Sequence, residues 1–472
     1  MEVQRQTGAL FLRCLLKAQE DERNGDFRRL VSLFVFLGLF RELHPLQNVG
    51  QRGLVVESVN NGLIYDAVCF IDGSAARDKG VIVCRGCGEI MYEGLETDWD
   101  KMQTKWNVVK GISETFPAVY NLSKRELCQK VLDDLKNGVV PDINPDLYEA
   151  YSQNFRKAVA GVFGDNPSDL SIQFDANVSR FAAYKAYHAT KELAGIEADE
   201  IDTKGKAILN KYNRWQAAEY NTAVARARTA RQWEDLQEDT TLYPNLRWLP
   251  SRSATPREQH MVFWNRVWAK DDPFWNENTP GSLWNCKCDW EETDEPVTNG
   301  NPEGKVSAKG LEGNPAKTGE IFTDECPYVK RSSKKTEKIC REANRDLIKS
   351  HVSSHPLLNA KTECVINQDK CVIDFQKIGL REYAQSMINN KDYWLKNASL
   401  DNITDIISKA MYIKTLPVDL THNKGKTLRF KKKLKWFHYL QGTLPNGSNI
   451  CIHIAEYKDG MKILYTVTSA IP

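Results

Sequence analysis

The 472-residue chain is short of net charge and of long apolar runs, and each shortage excludes a class of function. Lys and Arg number 64 against 62 Asp and Glu, a net +2. A globally basic nucleic-acid wrapper is thereby excluded, and any basic surface is local. The longest apolar stretch, Leu30 to Phe40, is interrupted by Ser32 and Gly38 and falls well short of the roughly 20 residues that span a bilayer. It reads as a buried core helix, and no membrane anchor is expected. The 12 cysteines stand at 14, 69, 84, 87, 128, 286, 288, 326, 340, 364, 371 and 451. They form no secreted-domain framework and follow no cleavable signal peptide, so a reducing cytosol is the expected compartment.

What is present exceeds one core, and the length predicts two to four domains. In residues 1–125, Leu54 to Val56, Leu63 to Phe70 and Gly80 to Val83 read as short strands, with turn signals at Asn60-Asn61-Gly62 and Asp72-Gly73. A small mixed domain of unassigned role is expected. Cys84-Arg85-Gly86-Cys87 has the shape of half a zinc site, and the nearest further thiols are Cys69 and Cys128; the alternative is a plain turn.

From about Ser123 to Leu236 the pattern turns helical, with Leu147, Tyr148, Tyr151 and Phe155 at helical spacing and again Phe181, Tyr184, Tyr187 and His188. Alanine-rich stretches such as Phe181 to Ala186 and Ala223 to Arg228 let helices approach closely. His188 shares a face with Tyr184 and reads as a core or interface histidine.

A dense aromatic segment follows. Trp264, Trp268, Phe274, Trp275, Trp284 and Trp290 each carry a large apolar surface, and Pro280-Gly281 supplies a tight turn. Cys286 and Cys288 flank one residue of an expected strand, which turns both thiols to one side. With His260 they make three zinc ligands; the alternative is reduced, packed thiols.

The ordered series Arg257, His260, Asp271-Asp272-Pro273-Phe274-Trp275, Pro280-Gly281 and Trp284-Asn285-Cys286-Lys287-Cys288 resembles the phage Mu F-like head-morphogenesis (minor capsid) family. Glu219-Tyr220-Asn221-Thr222-Ala223 is similar to the helix that precedes this element there. The resemblance makes Glu219, His260, Asp272, Trp275, Trp284, Cys286 and Cys288 the family's motif residues. Many relatives carry a further Cys-x-x-Cys, which Ser251 to Pro256 lacks, so a structural zinc is an open cofactor assignment. Glu219 and Asn221 are expected to bridge or cap helices rather than to carry chemistry.

Residues 296–360 read as an exposed linker, rich in breakers such as Asn299 to Gly304 and Gly310 to Pro315, followed by an exposed basic helix from Ser333 to Lys349. Residues 361–472 read as a separate α+β unit. Cys364 to Ile366 and Cys371 to Phe375 form a hairpin, Leu380 to Met411 two helices, and Thr427 to Phe430, Trp436 to Gly442, Asn449 to Glu456 and Lys462 to Thr468 strands. The fold class is therefore multidomain α+β: a mainly helical region over 126–295 with an aromatic, cysteine-containing loop module, then helices and an antiparallel meander.

That order, behind an F-like segment, is similar to phage nucleases of the barnase/EndoU/colicin/RelE-like class. Metal-free RNA cleavage needs a base, an acid and a cation or hydroxyl near the phosphate. His438 and His453 are the acid/base candidates, on adjacent strands, with His422 in the loop before them. Lys431 and Lys433 are the phosphate contacts, in a basic run without an acidic residue from 420 to 455, and Thr468 and Ser469 are auxiliary donors. Strand parity points Ile452 and Ile454 inward and places His453 on the open face, where His438 joins it. The nucleases also place a histidine in their early helices, and none lies between Leu380 and Met411.

The resemblance implies a minor head protein inside the capsid of a virion or prophage, acting in procapsid assembly or in DNA packaging and ejection. Portal and capsid proteins and phage DNA are then its partners, with an RNase-like effector tail that meets host RNA in the bacterial cytoplasm. The alternatives are a purely structural head protein whose basic tail holds DNA or portal, and a polymorphic toxin that borrows the F-like module.

Overall fold

The structure, a computed structural model, describes four strands between residues 51 and 95 and residues 124–471 except 165–166, 238–239, 254–255 and 422–423. The expectations for Leu30 to Phe40, for Arg85 to Gly88 and for His422 lie outside the described residues. Two compact units divide the chain, Met1–Lys130 and Val131–Pro472.

In the first unit β1 (Gln51–Asn60), β2 (Leu63–Asp72), β3 (Lys79–Cys84) and β4 (Ile90–Leu95) pair in sequence order as an antiparallel meander. β1 meets β2 from Gln51 opposite Asp72 to Asn60 opposite Leu63. Three of these strands follow from the sequence; β4 is additional.

Helix α1 (Lys124–Lys136) precedes three long helices of the second unit. α2 (Pro145–Phe163) starts where Asn144 accepts a hydrogen bond from the Leu147 N–H, with Pro145 in the first turn where a missing donor costs nothing. α3 (Asp169–Ala194) is capped in the same way by Ser168, and α4 (Lys206–Leu236) packs with both. Their contact faces are alanine-lined: Ala182, Ala183, Ala186 and Ala189 on α3 and Ala223, Ala227 and Ala230 on α4 have no solvent exposure. Small side chains permit that close approach, and Phe155, Phe181 and Tyr151 fill the space between.

The aromatic segment folds on β5 (Asn245–Leu249), the centre of a three-stranded antiparallel sheet between β6 (Val267–Ala269) and β7 (Asp289–Thr293). Trp233 of α4 joins Trp248, Phe263, Trp268, Trp275 and Trp290 in one buried cluster. Cys286 and Cys288 precede β7 in irregular chain and not within the strand that the sequence led one to expect.

The expected exposed linker is a packed strap. Leu311, Ile321, Phe322 and Cys326 are buried, and Phe322 stacks on Phe181 with centroids 3.9 Å apart. The breakers that read as flexibility instead shape the strap: Gly310, at φ 89°, brings the backbone so near Cys326 that an added Cβ would lie 2.7 Å from its Cα. Helix α5 (Lys334–His351) likewise is not exposed all round. A capping box of Ser333 and Thr336 starts it, and it buries Cys340, Arg341 and Asn344 against its neighbours.

The last 112 residues form an α+β arrangement, as expected, with differences in detail. β8 (Lys361–Ile366) and β9 (Asp369–Asp374) make the hairpin. Three short helices follow rather than two: α6 (Lys377–Gln385), α7 (Tyr393–Ala398) and α8 (Ile403–Ser408). Met411 does not end a helix but opens β10 (Met411–Pro417). Thr427 to Phe430 is helical, within α9 (Gly425–Lys431), because Phe430 turns down onto the sheet instead of pairing at its edge. β11 (Leu434–Thr443), β12 (Asn449–Tyr457) and β13 (Lys462–Thr468) complete the meander. β9 pairs parallel to β13, so the six-stranded sheet, in the order β10-β11-β12-β13-β9-β8, is mixed. Among the described residues no helix is long and apolar enough to cross a membrane.

Candidate functional sites

α4 carries the aromatic module on one face. Thr222 accepts from the Asn285 N–H at 2.8 Å, Asn221 donates to the Asn285 side chain at 3.1 Å, and Thr229 donates to the Pro280 carbonyl at 3.0 Å. Gly281, at φ 88°, sits against Arg226, where a Cβ would come within 3.3 Å of its Cγ. Arg226 itself has no solvent exposure and donates to the carbonyls of Leu311, Glu312, Gly313 and Glu320. One guanidinium, with its several N–H groups, thus joins helix, module and strap. Burial pushes its pKa down to about 10.

The motif residues fall into this framework. Asp272 accepts from the Phe274 N–H at 2.8 Å and caps the turn that aims Trp275 inward, where its indole donates to the Ala269 carbonyl at 2.8 Å. Trp284 stacks on Phe322 of the strap, centroids 5.8 Å apart. Glu219 is bonded to Lys185 of α3, whose side chain has no exposure, and accepts from the Tyr328 hydroxyl at 2.9 Å. Tyr151 and Tyr212 place their rings 5.0 Å and 5.9 Å from the Lys185 ammonium. Glu219 therefore bridges helices, as expected, and His188 is the expected interface histidine, 2.9 Å from the Tyr328 carbonyl. Lys185, Arg226 and Tyr328 were not legible as partners, because nothing local marks a charge that tertiary packing buries.

His260, Cys286 and Cys288 do come together. Their ligand atoms all lie within 4.8 Å of one another, and Nδ1 of His260 is 3.4 Å from Cys286 Sγ. Nε2 of His260 is 3.3 Å from the Val306 carbonyl and from Ser282 Oγ, the type of outer partner that fixes a ligating imidazole. The neighbouring Cys288 thiol, and then His260, draw Cys286 down to about 4, while Cys286 and burial push Cys288 up. The trio can hold a metal ion. It offers three ligands where a structural zinc takes about four.

The C-terminal sheet separates the two histidines proposed as an acid/base pair. Directly opposed residues of adjacent strands share a face, and His438 stands opposite Ile454 while His453 stands opposite Tyr439. The rings point to opposite faces, and both are buried. His438 is fully engaged: Thr415 Oγ1 lies 2.7 Å from Nδ1 and Glu456 accepts at Nε2, 2.8 Å away, with Lys462 on the same carboxylate. His453 keeps one contact, Nε2 to Thr468 Oγ1 at 3.0 Å. Lys431 and Lys433 belong to and follow α9, and Ser469 is exposed beyond the last strand. Among the described residues no carboxylate pairs with Lys424, Arg429, Lys431, Lys432 or Lys433.

Compared with known proteins, the chain matches no family model, no curated protein and no solved structure.

Proposed function

We propose that the chain is a phage minor head-morphogenesis protein with a C-terminal nuclease-like domain that works on RNA. The observation that carries the first part is that every motif residue has a structural partner: Glu219, His260, Trp275 and Cys286 are buried, Asp272, Trp284 and Cys288 are half-buried, and the segment that holds the last six is fastened to α4 through Thr222 and Asn285. Each is used for packing, capping or pairing, which favours an assembly role for this region over chemistry. Portal and capsid proteins are its partners in this reading, inside the virion. The test is co-expression with phage portal and major capsid proteins. The chain should sediment with procapsids, and Trp275→Ala should abolish incorporation; a chain that stays at the top of the gradient in all combinations overturns the reading.

The His260–Cys286–Cys288 trio, on this reading, is the structural zinc site of the module. Nδ1 of His260 and both thiolates supply the ligands, and the Val306 carbonyl holds the other ring nitrogen. Metal content of the purified chain by elemental analysis decides it, with Cys288→Ser as the control.

A second reading has a specific observation in its favour. Because His438 and His453 lie on opposite faces, they do not form a two-histidine pair, and the cations on and beside α9, without a carboxylate partner among the described residues, suit a tail that simply holds phosphate backbone, of phage DNA or at the portal. Retention of DNA with a steep salt dependence, and no cleavage of RNA, would favour it.

A further inference from the structure

The register of the C-terminal sheet draws a row that sequence parity did not. Lys414 of β10 is opposite Tyr439 of β11, Tyr439 is opposite His453 of β12, and His453 is opposite Thr466 of β13. All four share one face, with Cys451 opposite Thr468 in the neighbouring row. α8 lies on the reverse face, with Ile406 against Gly442 beside His438 and Leu440. Phe430 of α9 packs against the cluster of Phe437, Tyr439 and Cys451, as does Ile378 at the start of α6. The basic helix and the row therefore lie on the same side.

Hydrogen bonding fixes the state of His453. Thr468 has a single hydroxyl proton and donates it to the Ala470 carbonyl at 2.7 Å. Toward His453 it can only accept, so Nε2 carries the ring proton. The neutral imidazole then bears its lone pair on Nδ1, which has no hydrogen-bond partner among the described residues. His438, with both nitrogens engaged on the reverse face, has no such freedom.

We propose that His453 is the general base of a phosphodiester-cleaving site on this face, positioned by Thr468, with Lys414 and Tyr439 holding the scissile phosphate; this rests on the nuclease reading above. Nδ1 of His453 takes the proton of a ribose 2′-hydroxyl. The O2′–P bond forms as the P–O5′ bond breaks, giving a 2′,3′-cyclic phosphate. The departing O5′ takes a proton from a solvent water, and the resulting hydroxide is neutralised by the imidazolium proton. The cations of α9 track the flanking backbone. Burial keeps His453 uncharged at neutral pH, as a base requires.

The test uses the full chain with EDTA present and RNA and DNA oligonucleotides of one sequence. RNA alone should be cut, with a 2′,3′-cyclic end. His453→Gln should lower the rate by about 10²-fold or more. Thr468→Val should lower kcat with KM unchanged, Thr468→Ser should restore it, and Lys414→Met should raise KM. Circular dichroism melts establish that each variant is folded. Cleavage that survives His453→Gln, or that is lost only in His438→Gln, overturns this assignment and leaves the nuclease reading standing. Cleavage of DNA overturns the 2′-hydroxyl step. Cleavage of neither strand overturns both.

Discussion

Lys185 of α3 and Glu219 of α4 form an ion pair from which the lysine has lost all contact with water, and a tyrosine of the strap, Tyr328, closes it. Two charges taken from solvent are repaid only when every partner is in place. Glu219→Gln alone should therefore destabilise the protein by about 3–5 kcal/mol, whereas Lys185→Met with Glu219→Leu should cost far less. Urea denaturation of the two variants checks the asymmetry.

Arg226 ties four strap carbonyls to one helix position. Arg226→Met keeps the aliphatic packing against Gly281 and leaves buried carbonyls without donors, at about 1–3 kcal/mol for each group left unpaired. The strap should open before the helices do. Limited proteolysis should then cut first between residues 296 and 330, at sites protected in the unaltered protein.

The Cys288 and His260 side chains beside it hold the Cys286 thiol well below its ordinary range. Its absorbance near the ultraviolet thiolate band should persist down to about pH 4 and fall below it. His260→Ala removes one of the two neighbours that hold the charge, so the transition should move to higher pH.

Burial depresses His453 from an ordinary 6.5 to about 4. Between those values the unfolded chain binds the proton and the folded chain does not. Stability should therefore rise as pH increases from about 4 to 6.5 and level off above it, with a contribution of up to about 3 kcal/mol. Chemical denaturation at pH 4.5 and pH 7 should show a smaller difference for His453→Gln than for the unaltered chain.

Lys396 has no exposure and, among the described residues, no carboxylate partner; its amine donates to the Tyr383 carbonyl and lies 3.3 Å from Ser386 Oγ. Burial holds its pKa well below 10.5, so between the folded and unfolded values the unfolded chain binds more protons and stability rises with pH. Lys396→Met should raise stability at pH 7, by about 1–2 kcal/mol. The advantage should shrink as the pH approaches 10.

Local spacing made much of the fold legible. The apolar recurrence of Leu147, Tyr148, Tyr151 and Phe155 is a property of neighbouring residues, and α2 carries all four buried. The alternation in β11 and β12 and the hairpin turns between the last strands are equally local. Where the reading failed, a distant partner decided. Leu428 and Phe430 alternate like a strand, yet the sheet beneath them makes the segment a covering helix. The glycines of the strap look like breakers of a free linker until Arg226 supplies donors for the carbonyls of Leu311, Glu312, Gly313 and Glu320.

The sequence by itself determined the long helices, the hairpin turns, the ordered motif from Arg257 to Cys288 and the local basic run, because periodicity and turn chemistry act within a few residues. Tertiary structure alone decided which side chains meet: His260 with both thiols, Lys185 with Glu219, and Lys414, Tyr439 and His453 in one row apart from His438. The reason is geometric. Residue order gives each strand its alternation, but the pairing register decides which residues stand side by side, and that register is set by burial across the whole unit.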